Sequence, residues 1–255
     1  MQKKKSLIWG ICAILALGLA VSTSAGKQEK VQAASKPSVA SFLKKVKSAN
    51  KKVKTVHFEM DLSLKVNQDS KSQDMEADLD YGTSASDLKR ASAVIEQTKN
   101  GSRSYQEYIL AGGQGYPIYT RTSEDGTWTK QTTNGDYYVQ PGYFSFLNIL
   151  YKMKDDLKLK ETSKTYTLVL KSQNVDLVSL FKDELNLVLT GVSQTDVDKT
   201  FTVTFNKKTL YLSAFTMNLD YKKGSDVLKM AIDTSYSQWN KVDSSRFLAP
   251  DQTTT

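Results

Sequence analysis

The chain has 255 residues, 39% of them hydrophobic and 24% charged, with a formal net charge of +8. That composition describes a folded soluble protein with room for one large domain or two small ones. Its single cysteine, Cys12, lies in an N-terminal leader, which excludes a disulfide framework, a thiolate metal site and a cysteine nucleophile from the exported protein.

The leader is read from Lys3, Lys4 and Lys5, followed by the apolar run 7–21. The run falls short of the roughly 20 apolar residues that a membrane-spanning helix needs. Residues 1–25 therefore read as a signal peptide. Thr23-Ser24-Ala25 places cleavage after Ala25, and Val31-Gln32-Ala33 offers a second site after Ala33. An uncleaved anchor is the alternative. Lipidation of Cys12 is set aside, because bulky Ile11 precedes it and the apolar run continues to Val21. Removing 1–25 takes away three lysines and no acidic residue, so +8 becomes +5. Export without disulfides fits a Gram-positive bacterium. The modest basic excess suits an anionic wall polymer or membrane surface.

Residues 26–37 are polar and aperiodic, a flexible tether. Val39, Phe42, Leu43, Val46, Ala49 and Val53 then recur at helical spacing behind Ser38 and Ser41, with five lysines opposite. From Val56 the period becomes two. Val56, Phe58, Met60, Leu62, Leu64 and Val66 share one face, while His57, Glu59, Asp61, Ser63 and Lys65 share the other. That alternation predicts a strand with one buried face and one wet face. A polar turn at 67–73 leads to Met75, Ala77, Leu79 and Tyr81, which alternate with acidic residues and complete a hairpin.

A third strand over 88–98 carries Ala91, Ala93 and Ile95 on its apolar face, and Asn100-Gly101 turns the chain into a strand at 104–110. The glycines of Gly112-Gly113-Gln114-Gly115 lack the Lys-Ser/Thr ending of a phosphate loop and read as a turn. Short aromatic strands at 116–121, 128–131 and 137–139 continue the meander. Residues 144–157 are helical. A strand at 165–171 precedes a second helix at 175–188, capped by Asn174 or Ser172 and stopped by Gly191. Strands return at 201–205, 210–221 and 227–239, and residues 249–255 form a loose tail. No repeat or linker interrupts 38–248, which predicts one domain.

The chemistry of catalysis has little to work with. His57 is the sole histidine, so neither a histidine-rich metal site nor more than one Ser–His–Asp arrangement is available, and there is no G-x-S-x-G elbow. On the polar face of its strand, His57 reads as a surface residue. The acidic residues at 74–80 alternate along a strand and point outward in a row, not around an ion. No metal, no cofactor and no enzymatic activity are expected. Nucleic-acid binding asks for clustered basic residues with interleaved aromatics. The nearest cluster, 44–54, is the solvated face of the first helix, so no nucleic-acid partner is expected.

What stands out is the apolar inventory: 13 Tyr, 9 Phe and 6 Met, mostly on the inner faces of strands. Methionines and aromatics make adaptable walls for a flexible apolar ligand. They also fill ordinary cores, and a filled core and a lined cavity share one binary pattern.

The order of helix, long hairpin, meander, helical insert and second meander resembles the LolA/LppX family of exported lipoprotein and lipid carriers, in particular its uncharacterised Gram-positive secreted members. The segments that carry the resemblance are 40–66, 201–221 and the closing run Tyr236-Ser237-Gln238-Trp239-Asn240-Lys241-Val242. It implies an α+β fold: a strongly curved antiparallel sheet of about ten or eleven strands, an incomplete barrel, with an N-terminal helix and two inserted helices on its concave face. It further implies an apolar or amphiphilic ligand between sheet and helices. Phe58, Met60, Leu62, Leu64, Phe215, Met217, Leu219, Met230 and Ile232 would line that space. Many relatives carry a lipid anchor, and this chain departs from them there. A cell-envelope sensor or protein-interaction module with a filled core remains the other expectation.

Overall fold

The computed structural model describes residues 37–82, 88–113, 115–132, 139–185 and 192–250. The expected signal peptide 1–25, tether residues 26–36, strand residues Tyr137 and Tyr138, and tail residues 251–255 lie outside these.

Helix α1 (Val39–Asn50) opens the described chain, with Ser38 Oγ accepting the Ser41 amide at 3.2 Å. That bond satisfies one of the amides left without a partner in a first helical turn. The first meander follows as β1 (Thr55–Val66), β2 (Asp69–Asp80), β3 (Arg90–Lys99), β4 (Ser102–Leu110), β5 (Pro117–Arg121) and β6 (Thr129–Thr132). Helix α2 (Tyr143–Lys152) then crosses to the opposite edge. There β7 (Leu157–Glu161) and β8 (Thr165–Leu170) precede helix α3 (Leu177–Phe181), and β9 (Asp198–Asn206), β10 (Leu212–Lys223) and β11 (Asp226–Ser237) lead back inward.

All eleven strands form one curved, unclosed antiparallel sheet in the order β6-β5-β4-β3-β2-β1-β11-β10-β9-β8-β7. The two meanders therefore meet at β1 and β11, registered from His57 opposite Ser237 to Val66 opposite Leu228. Every other neighbouring pair consists of strands consecutive in the sequence. The β1–β11 seam alone joins strands from opposite ends of the sequence.

Three boundaries differ from the sequence reading. The polar stretch 67–73 is mostly strand: β2 begins at Asp69, because a tight turn with Asn67 at φ 54° lets backbone pairing continue past polar side chains. Residue 157 begins an edge strand instead of ending a helix, since Lys158 and Lys160 mask its alternation. Helix α3 spans five residues and is capped by Asp176, whose side chain accepts the Ser179 amide at 3.0 Å. Lys199 Nζ donates to the Gln173 and Val175 carbonyls at 2.8 and 3.0 Å, which holds the preceding residues out of the helix. Residues 186–188 of the expected longer helix, and the expected stop Gly191, are outside the described chain.

The core lies between the concave face and the helices. Phe42 of α1 meets Phe205 edge-on at 5.4 Å, and Phe146 of α2 stacks on Phe215 at 4.1 Å. Each such ring contributes about 1.5–3 kcal/mol by leaving water. A polar hub sets the helices on the sheet. Asn50 Nδ2 donates to the Val46 and Leu210 carbonyls, both at 2.8 Å, and the Tyr143 hydroxyl donates to Asn50 Oδ1. The same hydroxyl accepts the Leu212 amide at 3.3 Å, and Tyr81 accepts the Tyr143 amide at 3.1 Å.

Candidate functional site

The strand register arranges the concave face in rows. One row runs Met217, Ile232, Leu62, Gln73 across β10, β11, β1 and β2, and the next runs Leu219, Met230, Leu64, Lys71. A third runs Phe215, Thr234, Met60, Met75, Ile95, and a fourth Tyr236, Phe58, Ala77, Ala93, Tyr108. All nine residues singled out from the sequence thus share one face and one contiguous core, each at 4% exposure or less.

Side-chain size changes along these rows. Over β1, β10 and β11 the inward positions hold Phe, Met, Leu, Ile and Tyr, and the helices close down on them. Over β2 and β3 three of them are alanines, Ala77, Ala91 and Ala93, set among Met75, Leu79 and Ile95. A pocket of about 290 Å³ opens there. Its walls are Met75 from β2, Ala91, Ala93 and Ile95 from β3, and Tyr108, Leu110 and Ile118 from β4 and β5. Leu88, Val139 and Gln140 complete it from the connecting segments. The nine sequence-selected residues are not among these walls. They form the packed surface beside the pocket, joined to it where Met60 pairs with Met75 and Phe58 with Ala77. The signal for the pocket was present in the sequence as alanines at inward positions; alternation marks a face as apolar without recording its volume.

The roof of this region is held at the N-terminus of α2. Gly142, the N-cap, has no side chain to cap with, and Glu184 supplies the missing acceptor. Its Oε1 accepts the Gly142 amide and, at 2.7 Å, the Ser145 hydroxyl. A carboxylate suits the positive end of a helix dipole. Glu184 is 8% exposed, and burial pushes its carboxyl above the ordinary value despite those two hydrogen bonds. Burial likewise raises the Tyr108 phenol in the pocket wall, whose hydroxyl donates to Gln106 Oε1 at 2.8 Å.

On the outer face the structure corrects the reading of His57. It is 7% exposed, because the chain after β11 folds back across β1–β3 and buries it. Arg246, in the turn Ser244–Phe247, donates to Asp78 at 2.7 Å and Glu76 at 2.8 Å, and Phe247 lies under the Arg90 guanidinium at 4.8 Å. Donor atoms of His57, Glu76 and Asp78 lie within 4.8 Å of one another, the one such grouping that could hold a metal among the described residues. Arg246 already supplies the positive charge that these carboxylates need, so a cation there would be repelled. No helix of the described residues is long and apolar enough to cross a membrane.

Residues 38–246 match the model of DUF6612, described as a family of unknown function. The chain belongs to this family. A search among curated proteins gives no match. Among solved structures, the chain is similar to MucB in its complex with the periplasmic part of MucA, at 8% identity and a TM-score of 0.30. The similarity covers 84% of this chain and 60% of that one, so the chain spans little more than half of MucB's length. It is also similar to a DUF1329 family protein from Desulfovibrio piger, at 7% identity and a TM-score of 0.28, covering 82% and 95% of the two chains.

Proposed function

We propose that this DUF6612 protein is a non-enzymatic extracytoplasmic binding protein that holds the apolar part of a lipid-like ligand in the pocket over β2–β5. The observation that carries this reading is the hollow of about 290 Å³ above Ala91 and Ala93, walled mostly by apolar side chains. Small-molecule sites are concave, mostly apolar and begin at roughly 300 Å³. The nine packed residues from Phe58 to Ile232 would serve as the floor against which the pocket widens if the helices part. Cleavage of the leader would release the chain to the outside of a Gram-positive cell, where it would work at the membrane or wall surface.

The experiment is expression without residues 1–25, followed by native mass spectrometry, lipid extraction and thermal shifts with fatty acids and phospholipids. A co-purifying lipid and a ligand-dependent rise in Tm are expected. Bare polypeptide with no shift for any of them would overturn the reading. It would favour a cell-envelope protein-interaction module, for which the closely packed centre of the concave face, with Phe215 stacked on Phe146, is the supporting observation.

A further inference from the structure

Helix α1 turns its apolar stripe inward and its charge outward. Phe42, Leu43 and Val46 are buried in the core, while Lys44, Lys45, Lys47, Lys51 and Lys52 are all exposed. At roughly 100° per residue the five lysines fan over about 160° on the side opposite that stripe. The helix contains no acidic residue. Among the described residues none of the five is in an ion pair, whereas Lys154, Lys207, Lys223 and Lys229 each meet a carboxylate. Lys47 lies over the Tyr151 ring at 5.2 Å, and the helix dipole favours its place in the last turn. Neither reason reaches Lys44 or Lys45, and Lys47 repels Lys51 one turn on. Acids are gathered on the opposite side of the molecule: Asp233, Asp61 and Asp74 stand in register on β11, β1 and β2, on the outer face of the sheet.

We propose that the exposed face of α1 docks on the surface of an anionic lipid bilayer. Charge complementarity carries the assignment. With lysines on one side and acids on the other, the field of the molecule has a direction and steers α1 first toward a negative surface. From Lys44 to Lys52 the array runs about 12 Å at roughly 1.5 Å per residue, wide enough to meet several headgroups at once. Contact stays at headgroup level. An inserting helix turns Trp, Phe or Leu toward the acyl chains, but the large apolar residues of α1 are committed to the core, and Ala40, Ser41 and Ser48 stand exposed beside the lysines. A bilayer fits better than a soluble polyanion, because a flexible charged chain is held in a groove that tracks its backbone, and α1 presents a convex ridge. The surface is distinct from the pocket, which none of these lysines lines.

The test is co-sedimentation with vesicles of phosphatidylcholine, alone or mixed three to one with phosphatidylglycerol, at low salt. It uses the chain without residues 1–25, whose apolar run would itself enter vesicles. Binding is expected to the mixed vesicles only, and should weaken with added salt. Each lysine near an anionic surface multiplies the partition coefficient about fivefold. The quadruple variant Lys44→Gln, Lys45→Gln, Lys51→Gln, Lys52→Gln should therefore lose at least about a hundredfold, with Tm held. A control variant, Lys65→Gln, Lys99→Gln, Lys130→Gln, Lys222→Gln, removes the same charge from exposed positions on β1, β3, β6 and β10. It should stay within about tenfold of the parent, since its lysines lie beyond a Debye length of a surface that α1 faces. Equal loss in the two variants assigns binding to net charge and overturns the α1 site. No binding to mixed vesicles, or tighter binding to soluble poly(glycerol phosphate) at equal phosphate concentration, overturns the bilayer as occupant. A salt-sensitive dimer that only the α1 variant abolishes, in place of vesicle binding, would make the acidic outer face of a second copy the occupant and overturn it too.

Discussion

The imidazole Nδ1 of His57 lies 2.9 Å from Asp78 Oδ1, directly across the β1–β2 register on the outer face of the sheet. The hydrogen bond to Asp78 raises the His57 pKa, outweighing burial, with Glu76 and Glu59 adding to it. Burial pushes the Asp78 carboxyl up, but the hydrogen bonds from His57 and Arg246 outweigh it and the net direction is down. A raised histidine contributes stability that is fully present below its ordinary value of about 6.5 and is lost as pH rises through its folded value. A lowered carboxyl contributes stability above its ordinary value of about 3.9 and loses it as pH falls through its folded value. Tm should therefore peak between these limits and decline on the alkaline side. In His57→Gln the alkaline decline should flatten, with a cost near about 2 kcal/mol below pH 6.5. Scanning calorimetry across pH checks both.

Phe247 is buried beneath Arg90 by a segment that closes over the outer face. Phe247→Ala should cost about 3 kcal/mol in urea unfolding. It should also make residues 240–250 exchange amide protons faster, while the strand amides of β9 and β10 stay protected.

Tyr143→Phe removes the hydroxyl that donates to Asn50 and accepts from Leu212. Both partners are buried, so the loss should be about 2 kcal/mol, with the urea m-value unchanged. Asn50→Leu should fall in the same range, and the double variant should cost less than the sum, because one network is broken in both.

Ala93→Leu tests the pocket without any ligand in hand. In a hollow, the added carbons gain contacts and Tm rises or holds, while any ligand-dependent shift disappears. In a filled core the same change would cost about 1–3 kcal/mol through overpacking. Thermal melts with and without fatty acid separate the two.

Much of this fold was legible in the sequence because strands write a period of two and helices a period near 3.6. Phe58-x-Met60-x-Leu62-x-Leu64 specified which face of β1 is buried, and Asn100-Gly101 specified a hairpin, realised with φ of 48° and 87°. The short edge strand β7 was not legible, since Lys158 and Lys160 flank Leu159 as they would on a helix tail. The candidate site was legible as an apolar face and not as a hollow. Nothing in the alternation of β3 says that Ala91 and Ala93 face a gap instead of a neighbour.

The sequence by itself determined the elements, their inward faces and the antiparallel character of the sheet, because each depends on residues only a few positions apart. Tertiary structure decided the rest. The β1–β11 seam, the Asn50–Tyr143 hub and the burial of His57 by a turn ending at Phe247 join residues some 90 to 190 positions apart. The pocket over Ala91 and Ala93 exists because β4, β5 and the segment before α2 are held at a distance that those small side chains do not span. Local periodicity reports which way a side chain points, and only the assembled sheet determines what it meets there.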